Sequence, residues 1–349
     1  MPQLNTVDLS AFLAGAPVEE QKAVAQAFVD NAARVGFFYV TGWESVVPKE
    51  LVAEVFEFNK RFFDLPLEKK DALAYVSSKA NRGYLSFGRE QASLSKDPNQ
   101  IESEREANKD QKETFEIGND IDPQYPEHWP NEEDIPGFKA ALEEGSDTVW
   151  MKETLNITSS QTMNRFHLAC HDLHMRIMTL LALSLNLSPS YFDSQVDSRN
   201  HCLRLLHYPP ASRSGSASRL GAHTDFGTTT LLWQDETGGL EIEGPDGQWV
   251  PVTPKPDSFV INFGDVLARW SNDRLKSTVH RGRLPDLKEG EDPNTPVKTR
   301  RSVAYFCNPN PDTLIKCIPG LENADGTSKY EPVLAADFYA ALLEAEIGV

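Results

Sequence analysis

The sequence has no closely paired cysteines, no apolar run of bilayer length and no excess of positive charge. Its four cysteines, Cys170, Cys202, Cys307 and Cys317, form no CxxC pair. That argues against a disulfide framework and for reduced thiols in a cytoplasmic protein. The most apolar stretch, around MTLLALSL, is too short to span a membrane. The N-terminal MPQLNTVDLSAFLAG is acidic and without a long apolar run, so no signal peptide is read there. Lys and Arg number 34 against 52 Asp and Glu, a formal charge of −18. Such a surface excludes nucleic acid and anionic membranes as expected partners, and any anionic ligand needs its own local cations. There is no internal repeat and no low-complexity tract.

What is present is an ordinary globular composition. Of 349 residues 40% are hydrophobic, enough for a large buried core. The first third alternates strand and helix. TVDLS and FFYVTG read as strands, Val18 to Val35 as a helix, and VPKELVAEVFEFNKRFF as a second helix with Pro48 in its first turn. A polar region from Ser77 to Pro136 holds ANRGY and the strand-like KETFEIG. Helical stretches run from Gly137 to Asn186, interrupted by GSDTVWMKETLNITSSQ, which breaks the apolar period and reads as an insertion within a helix. From His201 onward short β-rich runs alternate with turn signals such as TGG and PDG, the pattern of a sandwich or jelly roll. ADFYAALLEAEI closes the chain as an amphipathic helix.

The segment GAHTDFG places His223 and Asp225 two residues apart. On a strand such residues share a face and can converge on one ion; alone, HxD reads equally as a polar turn. His280, in KSTVHR, is the candidate third ligand. Two histidines and one carboxylate leave three coordination positions open, the usual home of non-haem Fe(II), whereas zinc prefers a tetrahedral site with three protein ligands and water. Arg300 and Ser302 form an R-x-S pair on one face of a strand, suited to a carboxylate, and Tyr208 in LLHYPP can add a donor. The run His167, His171 and His174 lies on one helical face. It reads as a polar stripe opposite the apolar face of Phe166, Leu173, Ile177 and Leu181.

HxD, a distal His, R-x-S and a preceding Y-P-P in this order resemble the isopenicillin N synthase-like family of Fe(II)- and 2-oxoglutarate-dependent dioxygenases. Similarity to the subgroup of fungal thymine 7-hydroxylases and related fungal secondary-metabolite dioxygenases rests on ANRGY, KETFEIG, LRLLHYP, HTDFGTTTLLWQD, GDVLARWSND, KSTVHR and AYFCNPN. The resemblance implies a double-stranded β-helix (jelly roll), a mainly β core with N-terminal and flanking helices. The chain is then one domain, 1–349. Residues 1–200 form a mainly helical N-terminal part with early strands, 201–310 the jelly-roll core with the metal site, and 311–349 a C-terminal extension and helix.

The same resemblance implies iron ligands His223, Asp225 and His280, and a 2-oxoglutarate site of Arg300, Ser302 and Tyr208. Many members carry Asn two positions before that tyrosine; here Leu206 stands there. Expected substrate contacts are Phe226, Phe306 and Arg204, with Arg82 and Tyr84 on a lid loop. The implied cosubstrates are 2-oxoglutarate and O2, with ascorbate as reductant in vitro. The implied reaction oxidises a C–H bond of a small planar or heterocyclic molecule, giving succinate and CO2, in a cytoplasmic monomer. Desaturation, ring closure and ring expansion use the same chemistry and stay open. A cupin-like isomerase or hydrolase, or a relative that binds without catalysis, is the reading from another class.

Overall fold

The computed structural model describes residues 4–75, 81–89, 110–118, 129–136, 162–213, 218–287, 290–292 and 294–347. The expected insertion around residues 145–161 lies outside them. In chain order the strands are β1 (Thr6–Asp8), β2 (Phe37–Thr41), β3 (Gly83–Leu85), β4 (Glu113–Ile117), β5 (Cys202–Tyr208), β6 (Ser218–His223) and β7 (Thr229–Gln234). They continue as β8 (Leu240–Glu243), β9 (Trp249–Pro251), β10 (Phe259–Phe263), β11 (His280–Arg283), β12 (Arg300–Cys307), β13 (Leu314–Ile315) and β14 (Val333–Leu334).

Eight strands form the main sheet in the order β1-β2-β10-β7-β12-β5-β4-β3. A smaller sheet, β6-β11-β8-β9, belongs to the same jelly roll. β1 and β2 pair in parallel; the other pairs of both sheets are antiparallel. The N-terminal part, expected to be mainly helical, supplies four of the eight main strands.

Side chains alternate along each main strand and so serve two interiors. On one face Leu203 and Leu205 of β5, Leu231 and Trp233 of β7, and Val303, Tyr305 and Cys307 of β12 join the large core under the helices. Those helices are held there by their apolar periodicity. In Lys49–Phe63 the residues Leu51, Val55, Phe58 and Phe62 are buried at helical spacing, each contributing about 1.5–3 kcal/mol. Pro48 caps that helix instead of lying inside its first turn. Thr162–Ser184 buries Phe166, Cys170, Leu173 and Ile177 in the same way.

On the opposite face Leu206, Tyr208 and Ala304 cluster with Leu220, Leu232 and Phe306, while Phe37, Tyr39 and Val260 pack with Leu240 and Ile242 of the small sheet. The space between the sheets is where the candidate polar residues meet. Among the described residues no helix is long and apolar enough to cross a membrane. All four cysteines are free.

Candidate metal centre

His223 ends β6, and β11 begins with His280 as its register partner. Their ring centroids lie 4.2 Å apart. Asp225 is not on a strand. It follows β6, where its carbonyl accepts the Asp265 N–H at 2.8 Å. The turn thus brings Asp225 to the histidines, rather than the strand alternation that the HxD spacing suggests. Gly227 makes the turn possible, since a Cβ there would run into the Cys307 carbonyl.

Among the described residues these three are the group able to hold a metal ion, with one ligand atom from each all within 4.8 Å of one another. Asp225 Oδ1 is 3.8 Å from His223 Nε2 and 3.7 Å from His280 Nε2. Its other oxygen, Oδ2, accepts hydrogen bonds from Thr230 Oγ1 at 2.5 Å and Asn262 Nδ2 at 2.6 Å. One carboxylate oxygen is thereby fixed and the other presented. His223 Nδ1 lies 2.9 Å from the Gly221 carbonyl, and His280 Nδ1 3.2 Å from that of Thr278. A carbonyl only accepts, so each Nδ1 carries the proton and each Nε2 keeps a lone pair toward Asp225.

Protonation suits a cation as well. Burial, with His280 adding to it, pushes His223 down to about 4. Burial alone would raise the Asp225 carboxyl; the two histidines and the Thr230 and Asn262 hydrogen bonds outweigh it and hold the group below the usual carboxylate range. Two imidazole nitrogens and one carboxylate oxygen converge here. This donor set fits Fe(II) with positions left over, and it is not the nitrogen- and sulfur-rich closed set of structural zinc.

Arg300 is buried and donates to Ser302 Oγ at 3.2 Å and to Gln234 Oε1 at 3.3 Å. Its register partner Tyr208 has its ring 4.8 Å from the guanidinium carbon. The three expected cosubstrate residues are together, and Leu206, in place of the family's Asn, packs apolarly beside Tyr208. Arg204 lies with its guanidinium 5.1 Å from the Phe306 ring and its Nε 2.5 Å from Glu116 Oε1. Glu116 is fully buried and accepts from Cys202 Sγ at 3.2 Å. Phe306 is the register partner of Thr230, which places it beside the carboxylate support. Phe226 is half-buried next to Asp225.

Tyr84 does not face the triad. Strand alternation turns Tyr84 to the helix side, where its hydroxyl donates to Glu113 and its ring meets Phe62. Glu113 also pairs with Lys70 at 2.8 Å and His207 at 2.7 Å. Arg82 is buried against the backbone at Gly118.

The polar stripe of histidines opposite the helix's apolar face is itself packed into the fold. His167 and His174 are buried, and with His171 they surround buried His201 behind β12. Asn308 N–H donates to His201 Nδ1 at 3.0 Å, so the His201 proton is on Nε2, 3.1 Å from His171 Nδ1. Burial pushes His167 and His171 down to about 4, His174 to about 3, and His201 well below the ordinary value. The group is a neutral network, with ring centroids 5.0–6.4 Å from His201.

Sequence reasoning missed the supports: Thr230, Asn262, Gln234, Glu116, and a buried Asp110–Lys112 pair at 2.9 Å whose Asp110 Oδ1 accepts the Gly221 N–H. Polar residues at inward positions of β4, β7 and β10 were the available signal.

The chain matches the family model of the 2OG-Fe(II) oxygenase superfamily over residues 199–309, and that of the non-haem dioxygenase in morphine synthesis N-terminal region over residues 4–132. It is 33% identical to the proline hydroxylase buaE of Petromyces alliaceus, covering 96% of each chain. It is 32% identical to the 2-oxoglutarate-Fe(II) type oxidoreductase ppzD of Metarhizium rileyi, covering 95% of this chain and 88% of that one. Among solved structures it is similar to the full-length thymine 7-hydroxylase of Neurospora crassa in complex with alpha-KG and thymine. The TM-score is 0.82 at 37% identity, covering 98% of this chain and 96% of that one.

Proposed function

This chain belongs to the 2OG-Fe(II) oxygenase superfamily, and from that premise we propose that it oxidises a C–H bond of a small, neutral, planar heterocycle. The observation that carries the substrate class is the Glu116–Arg204–Phe306 row. Glu116 offsets the charge of Arg204, so the guanidinium donates hydrogen bonds without requiring an anion, and Phe306 supplies a flat apolar surface beside it. A ring bearing carbonyl oxygens suits that pair. In this reading Phe226, half-buried next to Asp225, is a further contact for the ring.

The chain's own residues do the preparatory work. His223, Asp225 and His280 would hold Fe(II) through Nε2, Oδ1 and Nε2. Arg300, Ser302 and Tyr208 receive the distal carboxylate of 2-oxoglutarate. Thr230 and Asn262 keep the Asp225 carboxylate turned. Burial between the sheets excludes water from the reacting C–H bond. The bound metal, with 2-oxoglutarate and O2, supplies the oxidation itself, releasing succinate and CO2.

A second reading is favoured by the relatives. The proline hydroxylase buaE is named for a different substrate from the thymine held in the Neurospora crassa complex, so a biosynthetic intermediate oxidised, desaturated or cyclised on the same scaffold is the alternative. One unit spanning the chain, acting as a cytoplasmic monomer, completes the proposal; β1–β4 sharing a sheet with β5, β7, β10 and β12 supports the single unit.

The test is succinate release by purified protein with Fe(II), ascorbate and 2-oxoglutarate, with thymine and a heterocycle panel, following product mass. A neutral heterocycle that stimulates succinate and gains one oxygen supports the proposal. Stimulation by saturated or anionic substrates alone favours the alternative. No succinate from metal-loaded protein refutes both.

A further inference from the structure

Arg300 is not the lone buried cation at its end of the β-sandwich. Arg219 of β6 is 4% exposed. Its guanidinium carbon is 5.5 Å from the Tyr208 ring, the ring that Arg300 approaches at 4.8 Å. Arg219, Arg300, Tyr208, Arg283 and Val297 line one shallow cleft. Arg283 is paired with Glu241 at 3.5 Å. Among the described residues neither Arg219 nor Arg300 has a carboxylate within 4 Å. Arg219 Nη2 donates to the Pro209 carbonyl at 2.6 Å, while the buried Nε of each arginine has no hydrogen-bond partner. Burial and the nearby Arg300 both press Arg219 toward losing its proton. Two buried, unpaired guanidinium groups beside one cleft, in a chain of formal charge −18, are costly without an anion.

We propose that Arg219 is a second specificity-determining cation of the 2-oxo acid site, acting from β6 while Arg300 acts from β12. A carboxylate entering the cleft then meets a cation from each sheet, and 2-oxo acids lacking a distal carboxylate are rejected because both arginines stay unpaired. This deepens the functional reading above and rests on 2-oxoglutarate binding here.

The experiment is calorimetric titration of the Ni(II)-loaded protein with 2-oxoglutarate and with 2-oxobutyrate, which has the same chelating head and no distal carboxylate. In Arg219→Met the 2-oxoglutarate affinity falls by about thirtyfold or more, while 2-oxobutyrate and Ni(II) affinities stay as in wild type. Arg219→Gln keeps a donor for the Pro209 carbonyl, guards against misfolding and gives the same selective loss; Arg219→Lys recovers part of it. Unchanged 2-oxoglutarate affinity in both neutral variants overturns the proposal. So does an equal loss of both acids, which makes Arg219 merely structural. Failure of wild-type, metal-loaded protein to bind 2-oxoglutarate refutes the functional reading itself, and it is seen before any variant is made.

Discussion

Lowering the pH from 7.5 to 5.5 will cost this fold far more than its carboxylates explain. His167, His171, His174 and His201 are held neutral behind β12, with folded values of about 4, about 4, about 3 and well below the ordinary range. In the unfolded chain each returns to about 6.5. The folded values are depressed, so the unfolded state binds more protons below 6.5. Stability is therefore fully present above that pH and is lost as pH falls toward 4. Between pH 7.5 and 5.5 a histidine shifted from 6.5 to 4 loses about 1.3 kcal/mol by proton linkage. His171 is only partly buried and the four rings interact, so about 4 kcal/mol for the group is the working figure. That is a large share of the roughly 5–15 kcal/mol that keeps a domain folded.

The assay is urea unfolding by tryptophan fluorescence at pH 7.5, 6.5 and 5.5 with chelator throughout, a window above most carboxylate titration. His171→Gln should remove about one proton from the pH slope whatever it does to absolute stability. An unfolding free energy constant within about 1 kcal/mol across the window would refute the reasoning.

Asn262→Ala and Thr230→Val should each weaken Fe(II) or Mn(II) affinity about tenfold to a hundredfold by releasing the Asp225 carboxylate, measured by calorimetry on protein whose circular dichroism is unchanged. Arg300→Ala should raise the 2-oxoglutarate KM by the equivalent of about 2–5 kcal/mol, with metal affinity intact. Lys70→Met leaves Glu113 buried without its ammonium partner and should lower stability in urea by about 3 kcal/mol; full stability would show that Tyr84 and His207 suffice.

The chemistry of the centre was legible because metal ligands and an anion clamp need particular residue types. HxD, a distal histidine and R-x-S name their atoms almost unaided. The geometry behind them was less legible. The HxD spacing suggests a shared strand face, yet Asp225 lies past the end of β6, because a turn that needs Gly227 and the Asp265 N–H carries it across. Nothing in a local period announces a hydrogen bond to a residue 40 positions away. The helix Asp265–Trp270 that provides it is only six residues long, too short for its apolar period to stand out.

Tyr84 and the histidine run both depend on a fact that no single segment carries. That fact is which face of the main sheet each of them meets. β12 shows the rule within one strand. Arg300, Ser302, Ala304 and Phe306 face the cleft between the sheets, while Val303, Tyr305 and Cys307 face the helices. Propagated through the register, Arg204 and Glu116 stand on the cleft side with Ala304, and His207 and Glu113 on the helix side. Tyr84 follows Glu113, and the His167–His174 helix follows Tyr305. A polar residue on the cleft face of this sheet is therefore a candidate for binding, as Arg219 is from the sheet opposite. A polar residue on the helix face is a structural partner whose charge state the core controls. The same alternation that builds the site thus leaves the fold sensitive to acid.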